Sequence, residues 1–78
     1  MRWVLGWLFG TVSVLISGVQ PEDFLNLSAQ YGLVLWKTER RDEFTLRVVV
    51  AGRDYALLGR LAQKAQCEAV PEKKRGLP

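Results

Sequence analysis

The chain has 78 residues, of which 49% are hydrophobic and 24% charged, with a formal net charge of +3 and no histidine. This length allows one small domain with a modest core, and the composition is globular rather than disordered. The single cysteine, Cys67, excludes an intrachain disulfide, and nothing points to an oxidising compartment. The net charge is −1 over residues 1–36 and +4 over residues 37–78. This asymmetry suits an acidic partner or a membrane surface, although a solvated charged face is its commoner meaning.

An uncharged stretch from Trp3 to Val19 follows Arg2, and it divides into two parts. Its second part, TVSVLISG, alternates apolar and polar side chains from Thr11, which predicts a half-buried strand closed by Gly18. Such alternation disfavours a membrane span, and no small-residue cleavage motif of a signal peptide follows it. Its first part, WVLGWLFG, places Trp3 and Trp7 four residues apart. We therefore expect a short aromatic arm over residues 1–10 that contacts the core, a partner or a membrane surface.

The segment PEDFLNLSAQYG predicts an amphipathic helix of about three turns. Pro21 suits its first turn, and Glu22 and Asp23 lie where the helix dipole favours negative charge. The apolar residues Phe24, Leu27 and Tyr31 follow helical spacing, and Gly32 is the expected C-cap.

The following segment, LVLWKTERRDEFTLRVVVAG, predicts a β-hairpin. We place its strands at 33–38 and 44–51 with the charged ERRDE at the turn. A loop of about four or five residues is expected because no Asn-Gly or Asp-Gly is present. In the second strand Phe44, Leu46, Val48 and Val50 share one face.

A second helix is predicted in RDYALLGRLAQKAQC, with Asp54 as its N-cap. Gly59 weakens this helix by about 1 kcal/mol relative to alanine and is expected to permit close packing. A short strand, CEAV, follows and ends at Pro71, as an edge strand can. The polar tail EKKRGLP comes last.

These elements predict an α+β protein of the ferredoxin-like order β-α-β-β-α-β, with a four-stranded antiparallel sheet and both helices on one face. Residues 11–72 form this domain, between the arm at 1–10 and a basic tail at 73–78. Either Val34 and Trp36 or Leu33 and Leu35 join the core, depending on the register of the hairpin. The other predicted core residues are Val12, Val14, Ile16, Phe24, Leu27, Tyr31, Leu46, Val48, Val50, Leu58, Leu61 and Ala65.

The residues needed for enzymatic chemistry are largely missing from the sequence. Without histidine, a Ser-His-Asp or Cys-His arrangement is impossible, and with one cysteine as well a nitrogen–sulfur metal site within one chain is strongly disfavoured. The glycines match neither a dinucleotide-binding nor a phosphate-binding loop. Cys67 is interpreted as a small buried hydrophobe rather than a nucleophile. We predict a protein that is not an enzyme and carries no cofactor or metal.

Binding functions remain open on this fold. RNA-recognition modules stack bases on aromatic residues of the central strands, but FTLRVVV supplies one Phe and no Gly. Trp36 with Arg40, Arg41 and Arg47 keeps a nucleic-acid-binding module as an alternative, and regulatory small-ligand domains of the ACT type share the fold. The first interpretation is a structural or interaction domain that associates with a protein partner or with itself. Its contacts would be the open sheet face, where Leu15, Val49 and Trp36 are expected to form an apolar patch, or an edge strand.

Taken together, the motifs resemble the N-terminal region of the YqfD family of sporulation proteins from endospore-forming Firmicutes. The matching pieces are WLFGTVSVLISG, FLNLSAQYGLVLW, the basic ERR and the terminal C…KKRGLP, in this order. The first strand is more apolar here than the charged version expected of the family. The resemblance covers nearly the whole chain.

The resemblance implies a non-catalytic, membrane-anchored protein acting in engulfment and forespore development, with this chain as its N-terminal domain before a transmembrane helix. Lys73, Lys74 and Arg75 would then lie beside the membrane, where basic residues favour the cytoplasmic side and attract anionic lipids. We expect the domain on the cytoplasmic face of the mother-cell membrane. The candidate membrane or partner contacts are Trp3, Trp7, Trp36, Arg40, Arg41, Lys73, Lys74 and Arg75.

Overall fold

Residues 10–72, the part of the chain that the computed structural model describes, form one four-stranded sheet and two α-helices. The strand order is β2-β3-β1-β4, and all neighbouring strands are antiparallel. This is the predicted ferredoxin-like fold. The elements in chain order are β1 (Thr11–Ser17), α1 (Glu22–Tyr31), β2 (Lys37–Asp42), β3 (Thr45–Ala51), α2 (Tyr55–Lys64) and β4 (Glu68–Pro71).

Strand β1 is central, because it pairs with β3 over its whole length and with β4 over its second half. Its pairing with β3 runs from Thr11 opposite Ala51 to Ser17 opposite Thr45. The residues that alternate along its sequence also alternate in burial, and Val12, Val14 and Ile16 are the buried ones. The residues between them are half-buried. One face of the sheet therefore packs on the helices, and the other, which we call the open face, does not.

The core lies between the helix-facing side of the sheet and one stripe of each helix. Ser28, the one buried polar residue in the described part of the chain, donates its hydroxyl to the Phe24 carbonyl oxygen at 2.9 Å. Of the predicted core, Leu27 and Ala65 are only partly buried against it. Tyr31 was wrongly predicted as core and is 53% exposed, because it lies in the last turn of α1. The buried core cluster is Val12, Val14, Ile16, Phe24, Leu33, Leu46, Val48, Val50, Leu58, Leu61 and Ala62.

The helix ends follow the sequence signals closely. Pro21 precedes α1, and Gly32 ends it in the left-handed conformation with φ of 74°. Asp54 does precede α2, after a 3-10 turn at Gly52–Asp54, but its side chain makes no capping hydrogen bond. Beyond α2, Gln66 adopts φ of 60°, and the Cys67 amide donates to the Ala62 carbonyl oxygen at 2.8 Å. This bond satisfies a carbonyl group that the end of the helix would otherwise leave without a partner.

The hairpin differs from its prediction in both its first strand and its turn. Strand β2 runs from Lys37 to Asp42, so the charged segment expected at the turn is itself the strand, exposed along its whole length. Two residues, Glu43 and Phe44, connect it to β3, and Phe44 is 52% exposed instead of sharing a face with Leu46. The Asp42 carboxylate accepts a hydrogen bond from the Phe44 amide at 2.9 Å. This local bond closes the short turn without glycine.

Residues 33–36 connect α1 to β2 instead of forming a strand. Leu33 is buried and Leu35 packs partly against the core, whereas Val34 and Trp36 are 61% and 63% exposed. The second of the two alternatives for the core is therefore correct. These residues alternate between buried and exposed because the connection lies over the edge of the core.

Gly18 is required by a close approach of two chain segments. A β-carbon at Gly18 would lie 2.9 Å from the Cys67 sulfur and 3.1 Å from the Gln66 carbonyl oxygen. We expect Gly18→Ala to lower the free energy of unfolding by about 1–3 kcal/mol, the usual cost of overpacking. Urea denaturation of the 78-residue chain, followed by circular dichroism, measures this loss.

Gly59 is the opposite case, because an alanine there has room for its side chain. It is exposed, and a β-carbon there would meet nothing within 4 Å, so the expected close packing at Gly59 was wrong. Gly59→Ala should raise the free energy of unfolding by about 1 kcal/mol because alanine is the better helix former. Equal effects of the two substitutions in the same denaturation experiment would contradict both assignments.

Candidate interaction surface

A cluster of charged side chains crosses the open face and centres on Glu72. The Glu72 carboxylate oxygen Oε1 accepts hydrogen bonds from the Ser13 hydroxyl at 2.8 Å and from Arg47 Nε at 2.8 Å. Its other oxygen lies 3.6 Å from Arg41 Nη2. Arg47 also contacts Glu39, with 3.2 Å between Nη1 and Oε1. This network joins residues from β1, β2 and β3 to the residue that follows β4.

Strand register brings these residues together. Ser13 lies on the open face of β1, and Arg47, opposite Leu15, lies on the same face of β3. The Glu72 amide donates to the Ser13 carbonyl oxygen at 2.8 Å, which continues the β4 pairing one residue beyond Pro71. The Glu72 side chain therefore points over β1 towards Arg47.

Adjacent arginines in β2 bind carboxylates on different parts of the domain. An irregularity between Arg40 and Asp42 shifts the pairing of β2 with β3. Arg41 approaches Glu72 on the open face. Arg40 instead forms an ion pair with Glu22 in the first turn of α1 and donates to the Asp42 and Glu43 carbonyl oxygens at 3.0 and 3.2 Å. Arg40, Arg41 and Arg47 are thus each engaged by carboxylates instead of forming one basic patch.

The electrostatics of the network keep both central groups ionised. The hydrogen bond from Arg47 and then that from Ser13 hold the pKa of the Glu72 carboxyl below its ordinary value of 4.5, although partial desolvation opposes the shift. The bond to Glu72 in turn raises the pKa of Arg47 above its ordinary value. At neutral pH the network is therefore a stable set of paired charges.

The apolar residues of the open face lie beside this network. Leu15 and Val49 are half-buried, and Val70, opposite Leu15 on β4, is 47% exposed. Trp36 lies just before β2 and donates its amide to the Val49 carbonyl oxygen at 2.8 Å. The open face is therefore mixed in character, with charged and apolar side chains interleaved, where an apolar patch was expected.

Of the candidate contact residues, three lie in the described part of the chain. Trp36 is exposed at one end of β2, while Arg40 and Arg41 lie near its other end. The remaining five, Trp3, Trp7, Lys73, Lys74 and Arg75, lie outside the described residues. Sequence reasoning missed Ser13 and Glu72, because Glu72 belongs to a run that reads as a polar tail and its partners are distant in sequence.

Cys67 is only partly buried against the core, where a buried residue was predicted. Burial raises the pKa of its thiol, and the negative charges of Asp23 and Glu22 raise it further. A thiol held protonated is a poor nucleophile, so this environment does not activate the cysteine.

Residues 10–72 contain no cluster of three or more histidine, cysteine, aspartate or glutamate side chains placed to hold a metal ion. Over the same residues, no helix has the length and apolar character needed to cross a bilayer.

Comparison with known proteins gives one match. A family model described as "Putative stage IV sporulation protein YqfD" matches residues 6–78, all of the chain except its first five residues. None of the curated proteins and none of the solved structures matches the chain significantly. The family description names a sporulation protein and no enzymatic activity.

Acid titration tests the Glu72 network. Because the pKa of Glu72 is lower in the folded chain, its contribution to stability is fully present above pH 4.5 and is lost as the pH falls through the lower folded value. We expect Glu72→Gln to reduce stability at pH 7 and to flatten the loss of stability below pH 4.5. Urea denaturation from pH 7 to pH 3 measures both effects.

Ser13→Ala and Ser17→Ala form the matched pair for this experiment. Both serines lie on the same face of β1, but only Ser13 is shown donating to Glu72. Ser13→Ala should partly flatten the loss of stability below pH 4.5, and Ser17→Ala should leave that loss as in the parent chain. The same loss of stability below pH 4.5 for Glu72→Gln and the parent would rule out a stabilising network.

Proposed function

Because the chain belongs to the YqfD family of sporulation proteins, we propose that it is a non-catalytic interaction domain of a membrane-anchored protein acting in engulfment and forespore development. The domain, residues 11–72, associates with a protein partner or a second copy of itself. The arm at 1–10 and the tail at 73–78 flank it. It lies on the cytoplasmic face of the mother-cell membrane.

One observation carries this proposal: the clustered polar side chains of the open face are paired with each other. Ser13, Glu39, Arg41, Arg47 and Glu72 satisfy one another by hydrogen bonds and ion pairs. General acid–base and nucleophilic catalysis use a group poised to exchange a proton or attack a substrate, whereas each charged group of this cluster is paired with an opposite charge. Such a face is suited to recognition by a surface of complementary charge and shape.

Uncovered edges support the same function. Strand β2 is exposed along its whole length and, within residues 10–72, pairs with β3 alone, so its other edge is open in this part of the chain. Strand β4 is the opposite edge of the sheet and has four residues. An exposed edge can accept a strand from another chain, while the charges of β2 limit indiscriminate pairing.

Nucleic-acid binding has weaker support from the open face. The side chains that β1 and β3 present there include Ser13, Leu15, Arg47 and Val49, and no aromatic residue of these two strands offers a platform for base stacking. Arg47 is already bound to Glu72 and Glu39. Since a phosphate would have to displace two carboxylates, the interaction domain is the better-supported function.

Photo-crosslinking in sporulating cells tests the interaction surface. We expect a photoreactive residue replacing Val49, in the middle of the open face, to give a discrete crosslinked product during engulfment. The matched control replaces Ala56, which is exposed on α2. Crosslinking of equal yield at both positions, or at neither, would contradict recognition through the open face.

Protease accessibility tests the proposed location separately. The three basic residues Lys73, Lys74 and Arg75 support a cytoplasmic domain, because positive residues flanking a span favour that side. A reporter fused to the N-terminus of the complete protein should therefore resist protease added to intact protoplasts. Digestion of the reporter while a cytoplasmic marker survives would overturn this location.

A further inference from the structure

Both ends of the described chain leave the fold at the same end of the sheet. At the start of β1, the Gly52 amide donates to the Gly10 carbonyl oxygen at 2.9 Å. At the end of β4, the Glu72 amide donates to the Ser13 carbonyl oxygen, three residues along β1 from Gly10. This follows from the antiparallel pairing of β1 with β4, and we call this end of the domain the exit end.

Exposed aromatic and apolar residues gather at the exit end. Helix α1 runs back along the sheet and finishes there with Tyr31, which is 53% exposed. The connection to β2 follows, with Val34 61% exposed and Trp36 63% exposed. Lys37 lies in the same row across the sheet as Ser13, since both are opposite Val49 of β3, and Trp36 immediately precedes Lys37. Tryptophan and tyrosine are the residues that favour the headgroup level of a bilayer.

Charge is distributed unequally between the two ends. Lys37, at the start of β2, and Arg53, in the 3-10 turn, are exposed at the exit end, with Asp54 beside them. Arg2 precedes this end in sequence, and Lys73, Lys74 and Arg75 follow it. The opposite end of the domain carries five acidic residues, Glu22, Asp23, Asp42, Glu43 and Glu68, against three basic ones, Arg40, Arg41 and Lys64. Its net charge is therefore −2, compared with +1 for Lys37, Arg53 and Asp54 at the exit end.

We infer that the exit end is a docking surface for an anionic lipid bilayer. Near a negative membrane the charge distribution turns the exit end inward and the acidic end away. Tyr31, Val34 and Trp36 then enter the headgroup region, and Lys37 and Arg53 contact lipid phosphates. This inference rests on the proposed function for the presence of a membrane and adds to it the orientation of the domain.

Trp36 fluorescence tests the orientation directly. In the 78-residue chain carrying Trp3→Phe and Trp7→Phe, Trp36 is the sole tryptophan. We expect vesicles of phosphatidylglycerol and phosphatidylcholine to shift its emission to shorter wavelength, and brominated acyl chains to quench at least half of it. Binding of the chain without quenching would overturn the inference, since the arm or tail would then bind while the exit end faces elsewhere. Failure to bind these vesicles would overturn it as well.

Two pairs of charge substitutions separate docking by the exit end from general attraction. Lys37→Gln with Arg53→Gln should weaken binding to the same vesicles about thirty-fold, since each cation near an anionic surface adds about fivefold. Arg40→Gln with Arg41→Gln removes the same net charge from exposed positions near the other end of β2 and should weaken binding much less. Equal losses for the two pairs would overturn the inference.

Apolar contacts have their own matched pair. Val34→Ser with Trp36→Ser removes two exposed residues from the exit end, and Val19→Ser with Phe44→Ser removes two from the opposite end. Only the first pair should reduce vesicle binding. Crosslinking at Val49 in sporulating cells detects a protein partner, whereas the vesicle experiments detect lipid. Failure of this inference and failure of the proposed interaction domain therefore give different results. A protein captured through Trp36 in place of lipid would assign this surface to a partner and overturn the inference.

Discussion

The fold depends on a strand that is paired along both edges while its side chains alternate between two environments. On the helix side of β1, Val14 and Ile16 are completely buried, and they contact a core to which both helices contribute. On the other side the same alternation places Ser13 beneath the Glu72 carboxylate. A slip of one residue in the pairing of β1 would exchange the two sets, placing serines in the core and valines on the open face. The hydrophobic pattern thus fixes the geometry of the polar network as well.

An element of this fold can be predicted from the sequence when one of its sides is buried, because burial makes its apolar residues recur at a regular spacing. Strand β1 and both helices each have one buried side, so their apolar residues recur at the spacing of a strand or a helix. Strand β2 is exposed on both sides, and nothing in its sequence, KTERRD, requires alternation. The apolar run from Leu33 to Trp36 gave a stronger strand signal, but these residues lie over the edge of the core after the left-handed turn at Gly32. The exposed strand was therefore predicted four residues too early.

The open-face network could not be predicted because its contacts are distant along the chain. Ser13 and Arg47 lie 59 and 25 residues from Glu72. Only the strand register brings these groups together, and the register of β2 includes an irregularity between Arg40 and Asp42. Neighbouring arginines in that strand consequently bind carboxylates of different elements, one on α1 and one beyond β4. Because Arg40 and Arg41 are adjacent in sequence, a shared role was expected for them, but the fold directs their side chains to different carboxylates.

The common departure point of the two chain ends also determines how the domain responds to mechanical force. Because β1 begins and β4 ends on the same side of the sheet, pulling the ends apart loads the hydrogen bonds between these strands one after another, as in opening a zipper. The first contacts to carry the load are the Glu72 amide bond to Ser13 and the carboxylate bonds that Glu72 makes to Ser13 and Arg47. Strand β4 has only four residues, so it would peel away at low force and leave β1 paired with β3.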